Sequence, residues 1–371
     1  MMGRNMKKSS FLLLTLLFVG MMVFSACSAN NVEEESETNE EALKTNIASN
    51  QSIYSGKEGK ITVYLSGSEP MIKKIEEEFE AERGDVIDLL HMGCGPLRQK
   101  VWTEKEAGQI QADVVWGSDP LMYMALADGK YLEKYVPKEF DTIKPQYQVG
   151  DGHYTLVNER YGVIIYNKDN VAKESVPKSF EDLKDKNFDG TMIMADANQS
   201  STALALTSAL YEMSGKNWDY LKAMHENHLF LTKKNGEVSS KISEGEFDIG
   251  IAPHDGVLRL HKKAKKDGYK IPVSIAWPEE GALSIQRPIA IIKNEARPDV
   301  NEKIAREFVD FILSKKVQNI TTNFGFVSVR KDVALPVGVP EDVKVIPVDW
   351  RYASEHEDAL RDGFKEIMQE K

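Results

Sequence analysis

A repeated order of strand, Gly- or Ser-containing turn and helix most constrains how this chain can fold. Residues 61–65 form a short β-branched run, the turn 66–69 follows it, and apolar residues then recur at helical spacing from Ile72 to Phe79. The run 112–116 is followed by a similar turn before another helix. Parallel strands need a crossover connection, so this order predicts a parallel α/β sheet with right-handed connections.

The same pattern continues through the rest of the chain. Strands are predicted at 190–195, 247–252 and 284–293, and an amphipathic helix is predicted at 303–315. The last thirty or so residues predict a loop and one helix. Without its N-terminal region the chain retains roughly 310 residues, which is enough for two lobes.

The N-terminal region has the order of an export signal. Three basic residues precede an apolar run at 11–23, small residues follow, and Cys27 comes directly after them. This order resembles a bacterial lipobox, which implies that 1–26 is a lipoprotein signal peptide and that Cys27 carries the acyl chains (palmitate). The alternatives are an uncleaved membrane anchor and an ordinary signal with a coincidental cysteine. The acidic, polar stretch 27–59 is predicted to be a disordered tether.

The charge of the chain limits its partners. The formal net charge is −11, and loss of the three basic residues of the predicted signal would leave a mature chain of −14. Nucleic acid and anionic lipid require a basic surface, so neither is expected as the main partner. The charge does not restrict a small ligand, because a binding site can differ from the average surface.

The chain has two cysteines, Cys27 and Cys94. If Cys27 is lipidated, no intramolecular disulfide can form, and Cys94 is either a packed free thiol or a reactive one. No later stretch approaches the ~18 apolar residues that a membrane-spanning helix needs.

Five segments, taken together in their order and spacing, resemble the extracellular solute-binding proteins of ABC importers. They are 61–66, 79–84, 112–118, 281–293 and 305–318. The branch with the greatest similarity contains proteins that bind ferric iron, thiamine, phosphonates or sugar phosphates.

This resemblance implies a two-lobed α/β fold of the type II periplasmic-binding-protein kind. Each lobe would be a mostly parallel sheet flanked by helices, and two crossing strands would act as the hinge. One lobe would combine residues 60–160 with 275–316, and the other would combine 161–274 with 317–371.

Polar loops after the predicted strands supply most candidate ligand-binding residues, because open α/β sheets bind ligands beyond the carboxyl ends of their strands. Helix N-termini there offer free N–H donors to an anion. Aromatic side chains would line the cleft, and an arginine could bind an anionic group bidentately. The candidates are Ser66, Gly67, Ser68, Glu69, Gly93, Gly95, Trp116, Ser118, Asp119, Tyr161, Asn198, Ser200, Ser201, Thr202, His254, Asp255, Trp277 and Arg287.

Each class of candidate has a structural alternative. The hydroxyl residues could be plain helix caps, and the carboxylates could be solvated surface groups. Trp116, Tyr161 and Trp277 could be core residues. Arg287 could form a salt bridge between the lobes.

Metal binding and catalysis are the competing functions. The ferric relatives use adjacent tyrosines near the strand that here reads 250–257, and no tyrosine pair occurs there. His225 and His228 are more typical of an exposed helix face than of a metal site, while His254 with Asp255 stays open. A hydrolase would need a base beside Cys94, and no hydrolase motif is present.

The sequence therefore predicts a lipid-anchored solute-binding protein on the outer, or periplasm-facing, side of the cell membrane. It would capture a small polar solute, phosphonate- or phosphate-like and anionic, and deliver it to an ABC permease. We expect a monomer with no cofactor, no resident metal, no catalytic activity and no nucleic-acid partner. An import receptor for ferric iron or another metal is the alternative.

Overall fold

The computed structural model describes residues 54–149 and 151–369. The predicted signal peptide 1–26, the lipidation site Cys27 and residues 28–53 of the tether lie outside the described residues. The remaining tether residues, 54–59, contact the folded chain: the Gly59 N–H donates to Asn301 Oδ1 at 2.7 Å, and Tyr54 also bonds to Asn301. Within the described part, no helix is long and apolar enough to cross a bilayer.

The described residues form a single mixed sheet covered by helices. The strands are β1 (Ile61–Leu65), β2 (Ile87–His91), β3 (Val114–Trp116), β4 (Thr155–Asn167), β5 (Met192–Ala195), β6 (Phe230–Thr232), β7 (Ile249–Pro253), β8 (Val273–Ala276), β9 (Ala282–Ile291), β10 (Val327–Ser328) and β11 (Val345–Ile346). The main path runs β2-β1-β3-β9-β4-β7-β5-β6, and the other three strands attach to β4 or β9.

Most of the α-helices follow a strand in the chain, as the sequence predicts. They are α1 (Glu69–Arg83), α2 (Cys94–Glu106), α3 (Pro120–Asp128), α4 (Ser201–Met213), α5 (Asp219–Glu226), α6 (Asn235–Glu244), α7 (His254–Asp267), α8 (Asp299–Leu313), α9 (Lys315–Asn323), α10 (Trp350–Glu355) and α11 (Glu357–Gln369). The C-terminal region differs from the prediction because it holds two helices, α10 and α11. A 3-10 turn lies at Glu181–Lys184.

Each end of the sheet is parallel and its centre is antiparallel. Strand β1 pairs in parallel with β2 and β3, and β5 pairs in parallel with β6 and β7. The long strands β4 and β9 join these two parts, and both pair antiparallel with their neighbours on the main path, while β11 pairs in parallel with β9. The prediction of mostly parallel sheets flanked by helices is confirmed, and β4 and β9 are the strands that connect the two parallel parts.

Helix α1 shows how the pattern produces the packing. Pro70 lies in the first turn, where its missing N–H leaves no donor unpaired. Met71, Ile72, Ile75 and Phe79 form the buried stripe against β1. Phe79 meets Phe308 of α8 edge to face with ring centroids 5.1 Å apart, and burying such a ring contributes about 1.5–3 kcal/mol.

The predicted lobe boundary at 316/317 remains a prediction. Val317 of α9 packs in the same apolar cluster as β1 and α1, and Lys316 bonds to Glu82 of α1 at 3.0 Å. Helix α9 therefore contacts the part of the chain that begins with β1.

Candidate functional site

A cavity of about 520 Å³ lies where the carboxyl ends of the parallel strands meet. Ser66 follows β1, Gly93 follows β2, and Ser118 follows β3. Lys233 follows β6, and Asp255 lies just after β7. Strand ends from both parallel parts of the sheet therefore surround one cavity, which is the position that open α/β sheets give to a ligand.

Five helices begin at this cavity: α1, α2, α4, α6 and α7. The residues that precede α1, α2 and α6 are Ser68, Gly93 and Lys234, and none of them caps its helix with a side chain. Ser200 does cap α4, because its Oγ accepts from the Ala203 N–H at 3.3 Å. The uncapped first turns of α2 and α6 leave N–H groups and partial positive charge for an anion. In α1, Pro70 has no N–H and the Met71 N–H already donates to the Ser68 carbonyl oxygen at 3.0 Å.

Arg287 of β9 lies on the floor of the cavity and is 1 % exposed. Its Nη2 donates to the Ser66 carbonyl oxygen at 2.5 Å and its Nη1 donates to Asn158 Oδ1 at 3.3 Å. Within the described part of the chain its Nε has no hydrogen-bond partner. The guanidinium carbon lies 5.0 Å from the ring centroid of Trp116 and 4.3 Å from that of Phe326. The cavity therefore contains a buried cation with an unused donor.

The pKa of Arg287 indicates that no negatively charged group among the described residues compensates its charge. Burial, and then repulsion from Arg160, lowers the pKa of Arg287 from 12.5 to about 9. A depressed pKa means that the surroundings disfavour the charged form. An anion bound beside Arg287 would relieve this cost.

Asp255 holds two further arginines at the cavity. Arg160 Nε donates to Asp255 Oδ1 at 2.6 Å, and Arg259 bonds to the other carboxylate oxygen. The Asp255 side chain is fully buried, whereas those of Arg160 and Arg259 are 13 % and 33 % exposed. One carboxylate therefore accepts hydrogen bonds from two guanidinium groups.

The lining of the cavity is strongly positive. Among the described residues that form it, Arg160, Lys233, Lys234, Arg259 and Arg287 are cationic and Asp255 alone is anionic, a net of +4. The chain as a whole carries −11. The site thus differs in sign from the average surface.

Ten of the sequence-predicted residues line this cavity. They are Ser66, Gly67, Ser68, Gly93, Gly95, Ser118, Ser200, Thr202, Asp255 and Arg287.

The other eight candidates lie elsewhere. Asp119 caps α3 through the Met122 N–H and pairs with Arg98 at 2.9 Å, and Asn198 lies in a neighbouring groove. The Ser201 hydroxyl donates to the Cys94 carbonyl oxygen at 3.4 Å. Glu69 also lies outside the lining, and Trp116 is buried behind Arg287.

Tyr161, His254 and Trp277 form an aromatic cluster outside the lining. Their ring centroids lie 5.4 to 6.4 Å apart. The Tyr161 N–H donates to His254 Nδ1 at 2.9 Å, and burial lowers the pKa of His254 to about 3. This cluster is part of the core beside β4. Core packing was the alternative stated above for Tyr161 and Trp277.

Four cationic residues of the lining were not predicted. Arg259 is four residues after Asp255, a helical spacing that places the two side chains on one face. Arg160 opens an otherwise apolar strand segment, which is itself an unusual position for a charge. Lys233 and Lys234 follow β6, a strand of only three residues that the sequence did not reveal.

A larger groove of about 1020 Å³ lies between α2, the start of α4 and the helices α10 and α11. Its main charges satisfy one another: Arg98 bonds to Asp119 and Glu357, and Arg361 bonds to Glu357 at 2.8 Å. The 520 Å³ cavity is therefore the better candidate, because Arg287 there lacks an anionic partner.

The described residues offer little for a metal ion. In the ranges 54–149 and 151–369, no three His, Cys, Asp or Glu side chains are grouped to bind one. Cys94 lines the cavity, and its Sγ contacts the hydroxyls of Ser66 and Thr202 at 3.2 and 3.4 Å.

Similar proteins agree with this architecture. A probable ABC transporter periplasmic-binding protein, y4fP of Sinorhizobium fredii, is 24% identical over 304 residues, which cover 78% of this chain and 81% of that protein. The fructose-6-phosphate-bound periplasmic binding protein AfuA of Actinobacillus pleuropneumoniae superposes with a TM-score of 0.72 at 22% identity, covering 84% of this chain and 99% of that one. Iron-bound HitA of Pseudomonas aeruginosa gives 0.70 at 21% identity, with 82% and 98% coverage.

These structures confirm the predicted two-lobed type II periplasmic-binding-protein fold. The family model described as "Bacterial extracellular solute-binding protein" matches residues 111–356, about two thirds of the chain. The protein therefore belongs to the bacterial extracellular solute-binding proteins.

Proposed function

We propose that this protein captures a small anionic solute, phosphonate- or phosphate-like, between two closing lobes and delivers it to the permease of an ABC importer. The observation that carries the proposal is the net charge of +4 on the cavity lining in a chain of −11. A neutral or cationic solute would leave these positive charges unpaired in a closed cavity, which is costly.

The geometry supplies donors for anionic oxygens. Arg287 and the uncapped first turn of α2 line the same cavity, and among the described residues the buried Nε of Arg287 has no hydrogen-bond partner. Charge-assisted hydrogen bonds of this kind are about twice as strong as neutral ones. Thr202 and Ser200 add hydroxyl groups from the opposite side of the cavity.

Closure of the lobes is the proposed capture step. Strands β4 and β9 are the two connections between the parallel parts of the sheet and would act as the hinge. The start of α2 contacts the start of α4 through the Thr202 hydroxyl and the Cys94 thiol, 3.4 Å apart. This contact joins one parallel part to the other across the cavity.

A ferric import receptor is the competing proposal, since iron-bound HitA shares the fold. A hard cation needs clustered oxygen anions. The lining offers Asp255 alone, and both of its oxygens already accept from arginines. The charge of the cavity therefore favours the anion.

Export and lipid attachment at Cys27 complete the proposal. The mature chain would be anchored to the outer face of the cell membrane by acyl chains, as a monomer that does not catalyse a reaction. Mass spectrometry of the purified protein would show the acyl mass on Cys27, and a Cys27→Ala variant would lack it.

A thermal-shift panel tests the ligand class. Methylphosphonate, fructose 6-phosphate, thiamine, spermidine and ferric chloride would each be added to the full-length protein. We expect the phosphonate or the phosphate ester to raise the melting temperature, because a ligand that binds only the folded state stabilises it. A rise with ferric chloride or spermidine alone would refute the proposal.

A further inference from the structure

Three arginines of the cavity form one compact cluster around Asp255. The two carboxylate oxygens of Asp255 accept from Arg160 and Arg259. The centroid of the Phe326 ring lies 5.7 Å from the guanidinium carbon of Arg160 and 4.3 Å from that of Arg287. These two carbons are therefore no further apart than the sum of the distances, 10.0 Å. All five residues line the same cavity.

The cluster carries two uncompensated positive charges, because three guanidinium groups share one carboxylate. Arg287 is 1 % exposed and the Arg160 side chain is 13 % exposed, so solvent screens their charges weakly. Burial, and then repulsion from Arg160 and Arg287, lowers the pKa of Arg259 to about 9. A bound monoanion would leave one of the two charges uncompensated when the lobes close, whereas a dianion would balance both.

Arg160 has donors available for a ligand. Within the described part of the chain, its side chain makes a single hydrogen bond, from Nε to Asp255 Oδ1. Its two Nη atoms have no partner there, and they are not among the buried unpaired atoms, so they reach solvent. Asp255 thus holds the guanidinium by one edge and leaves the two Nη groups, which can bind two oxygens of one phosphoryl group.

The cavity offers no free carboxylate to accept a proton from a ligand. Asp255 is the only acidic side chain among the described residues of the lining, and both of its oxygens already accept from arginines. The O–H of a singly protonated phosphoryl group would have to donate to a neutral oxygen, which gives a weaker hydrogen bond than a charged acceptor does. A dianion has acceptor oxygens only, so it matches the arginine donors.

We infer that the cavity binds a phosphoryl group as its dianion, with Arg160, Arg259 and Arg287 supplying the matching charge. This inference rests on the proposed function and narrows its substrate class to phosphate monoesters and alkylphosphonates. Phosphodiesters and simple carboxylates carry a single charge and are discriminated against.

The number of protons exchanged on binding identifies the bound form. Methyl phosphate has a second pKa of about 6, so at pH 6 about half of it is the monoanion. Selection of the dianion releases about half a proton per ligand bound, whereas selection of the monoanion would take up about half a proton. Isothermal titration of the full-length protein at pH 6, in two buffers of different ionisation enthalpy, gives the number and its sign. We expect release.

The protein itself could exchange protons at this pH. The described lining also holds His91, Cys94, Lys233 and Lys234, and Tyr123 interacts with Arg287 but has a pKa that burial raises. Of these residue types, histidine is the one that ordinarily titrates near pH 6. His91→Gln is therefore the control, and it should release the same half proton because the proton comes from the ligand. Loss of the release in His91→Gln would assign the proton to the protein and overturn the inference.

Removal of one arginine should weaken the preference for a dianion. At pH 8 we expect methyl phosphate to bind at least about tenfold more tightly than dimethyl phosphate, which is a monoanion. Arg259→Met leaves Asp255 paired with Arg160 and should reduce this ratio at least about threefold, because the dianion loses more attraction than the monoanion. Lys266→Met is the matched control, since it removes the same charge from an exposed position of α7 outside the lining and should leave the ratio unchanged.

The outcomes distinguish the inference from the proposed function. Proton uptake at pH 6, or an equal effect of Arg259→Met and Lys266→Met on the ratio, would overturn selection of the dianion and leave anion binding by the cavity standing. Absence of binding by methyl phosphate and methylphosphonate alike at pH 8 would overturn the proposed function as well.

Discussion

The Nη2 atom of Arg287 lies 2.5 Å from the carbonyl oxygen of Ser66, so a side chain of β9 fixes the turn that follows β1. Ser66 is itself 1 % exposed and lines the cavity. The crossing strand β9 and the first turn of the site are therefore linked by one buried cation.

Substituting Arg287 should separate binding from stability. Arg287→Met keeps much of the volume but removes the charge. We expect anion affinity to fall at least about 100-fold, as for loss of one partner in a buried charge pair. The unliganded protein should become more stable by about 1 kcal/mol, because removal of the buried charge outweighs loss of its hydrogen bonds to the Ser66 carbonyl oxygen and Asn158 Oδ1. Titration calorimetry and urea unfolding measure the two effects.

Arg83→Met is the control for this change. Arg83 is an arginine near the end of α1 with 47% of its side chain exposed, and its replacement should alter neither quantity. Unchanged anion binding by Arg287→Met would contradict its role.

Removal of the Asp255 charge should have the opposite effects. Asp255→Asn leaves Arg160 and Arg259 without their carboxylate, which should destabilise the unliganded protein by about 3 kcal/mol. Anion affinity should rise, since the arginines are released and the lining becomes more positive. Asp267→Asn, at the exposed end of the same helix, should do neither. A more stable Asp255→Asn protein, or one that binds anions more weakly, would be inconsistent with this account.

The sequence revealed those parts of the site that depend on local signals. Ser66, Gly93 and Ser200 could be found because each follows a recognisable strand and precedes a helix. The Arg160–Asp255 pair could not be found in this way, since it requires β4 to lie beside β7, far apart in the chain. Lys233 was missed because β6 is too short to show a period of two.

Local sequence patterns also could not show which side chains of the central strands face the cleft. Trp116 and Tyr161 were expected in the cleft, and both are buried outside the lining. Strand β4 is buried along nearly its whole length, with 11 of its 13 residues buried. The alternation of apolar and polar residues therefore does not indicate which side of the strand faces the cleft. The α/β class, in contrast, followed from the repeated strand–turn–helix order, and the two-lobed arrangement followed from the family resemblance.

Anion binding should weaken in alkali. The pKa of Arg287 is about 9 in the folded protein and 12.5 ordinarily, so the charged form is lost as the pH rises through about 9. A phosphate monoester, whose second pKa is about 6, stays a dianion throughout. The dissociation constant of methyl phosphate should therefore increase about tenfold between pH 8 and pH 10. Arg287→Met should show a smaller increase, because burial also lowers the pKa of Arg160 to about 10 and that of Arg259 to about 9. A constant affinity in the parent protein would contradict the assignment.

The same shift predicts the pH dependence of stability. Between pH 9 and 12.5 the unfolded chain binds a proton at Arg287 that the folded chain has lost. The contribution of this group to the free energy of unfolding should therefore rise with pH in that window. Urea unfolding of the parent and of Arg287→Met would isolate it, because the parent should gain stability relative to the variant as the pH increases. A parent that loses stability relative to the variant would show the opposite sign.

Closure should depend on Gly95. A Cβ at Gly95 of α2 would overlap the carbonyl oxygen of Gln199, just before α4, so the glycine lets the two helix starts meet. Gly95→Ala should hold them apart and lower affinity for methylphosphonate about tenfold or more, because fewer molecules reach the closed state. The unliganded melting temperature should stay nearly the same. Gly93→Ala is the matched control in the same turn: its Cβ would lie 3.6 Å from Pro96 Cδ, an ordinary contact. If the two alanine variants bound methylphosphonate with equal affinity, close approach of α2 and α4 would not be needed for capture.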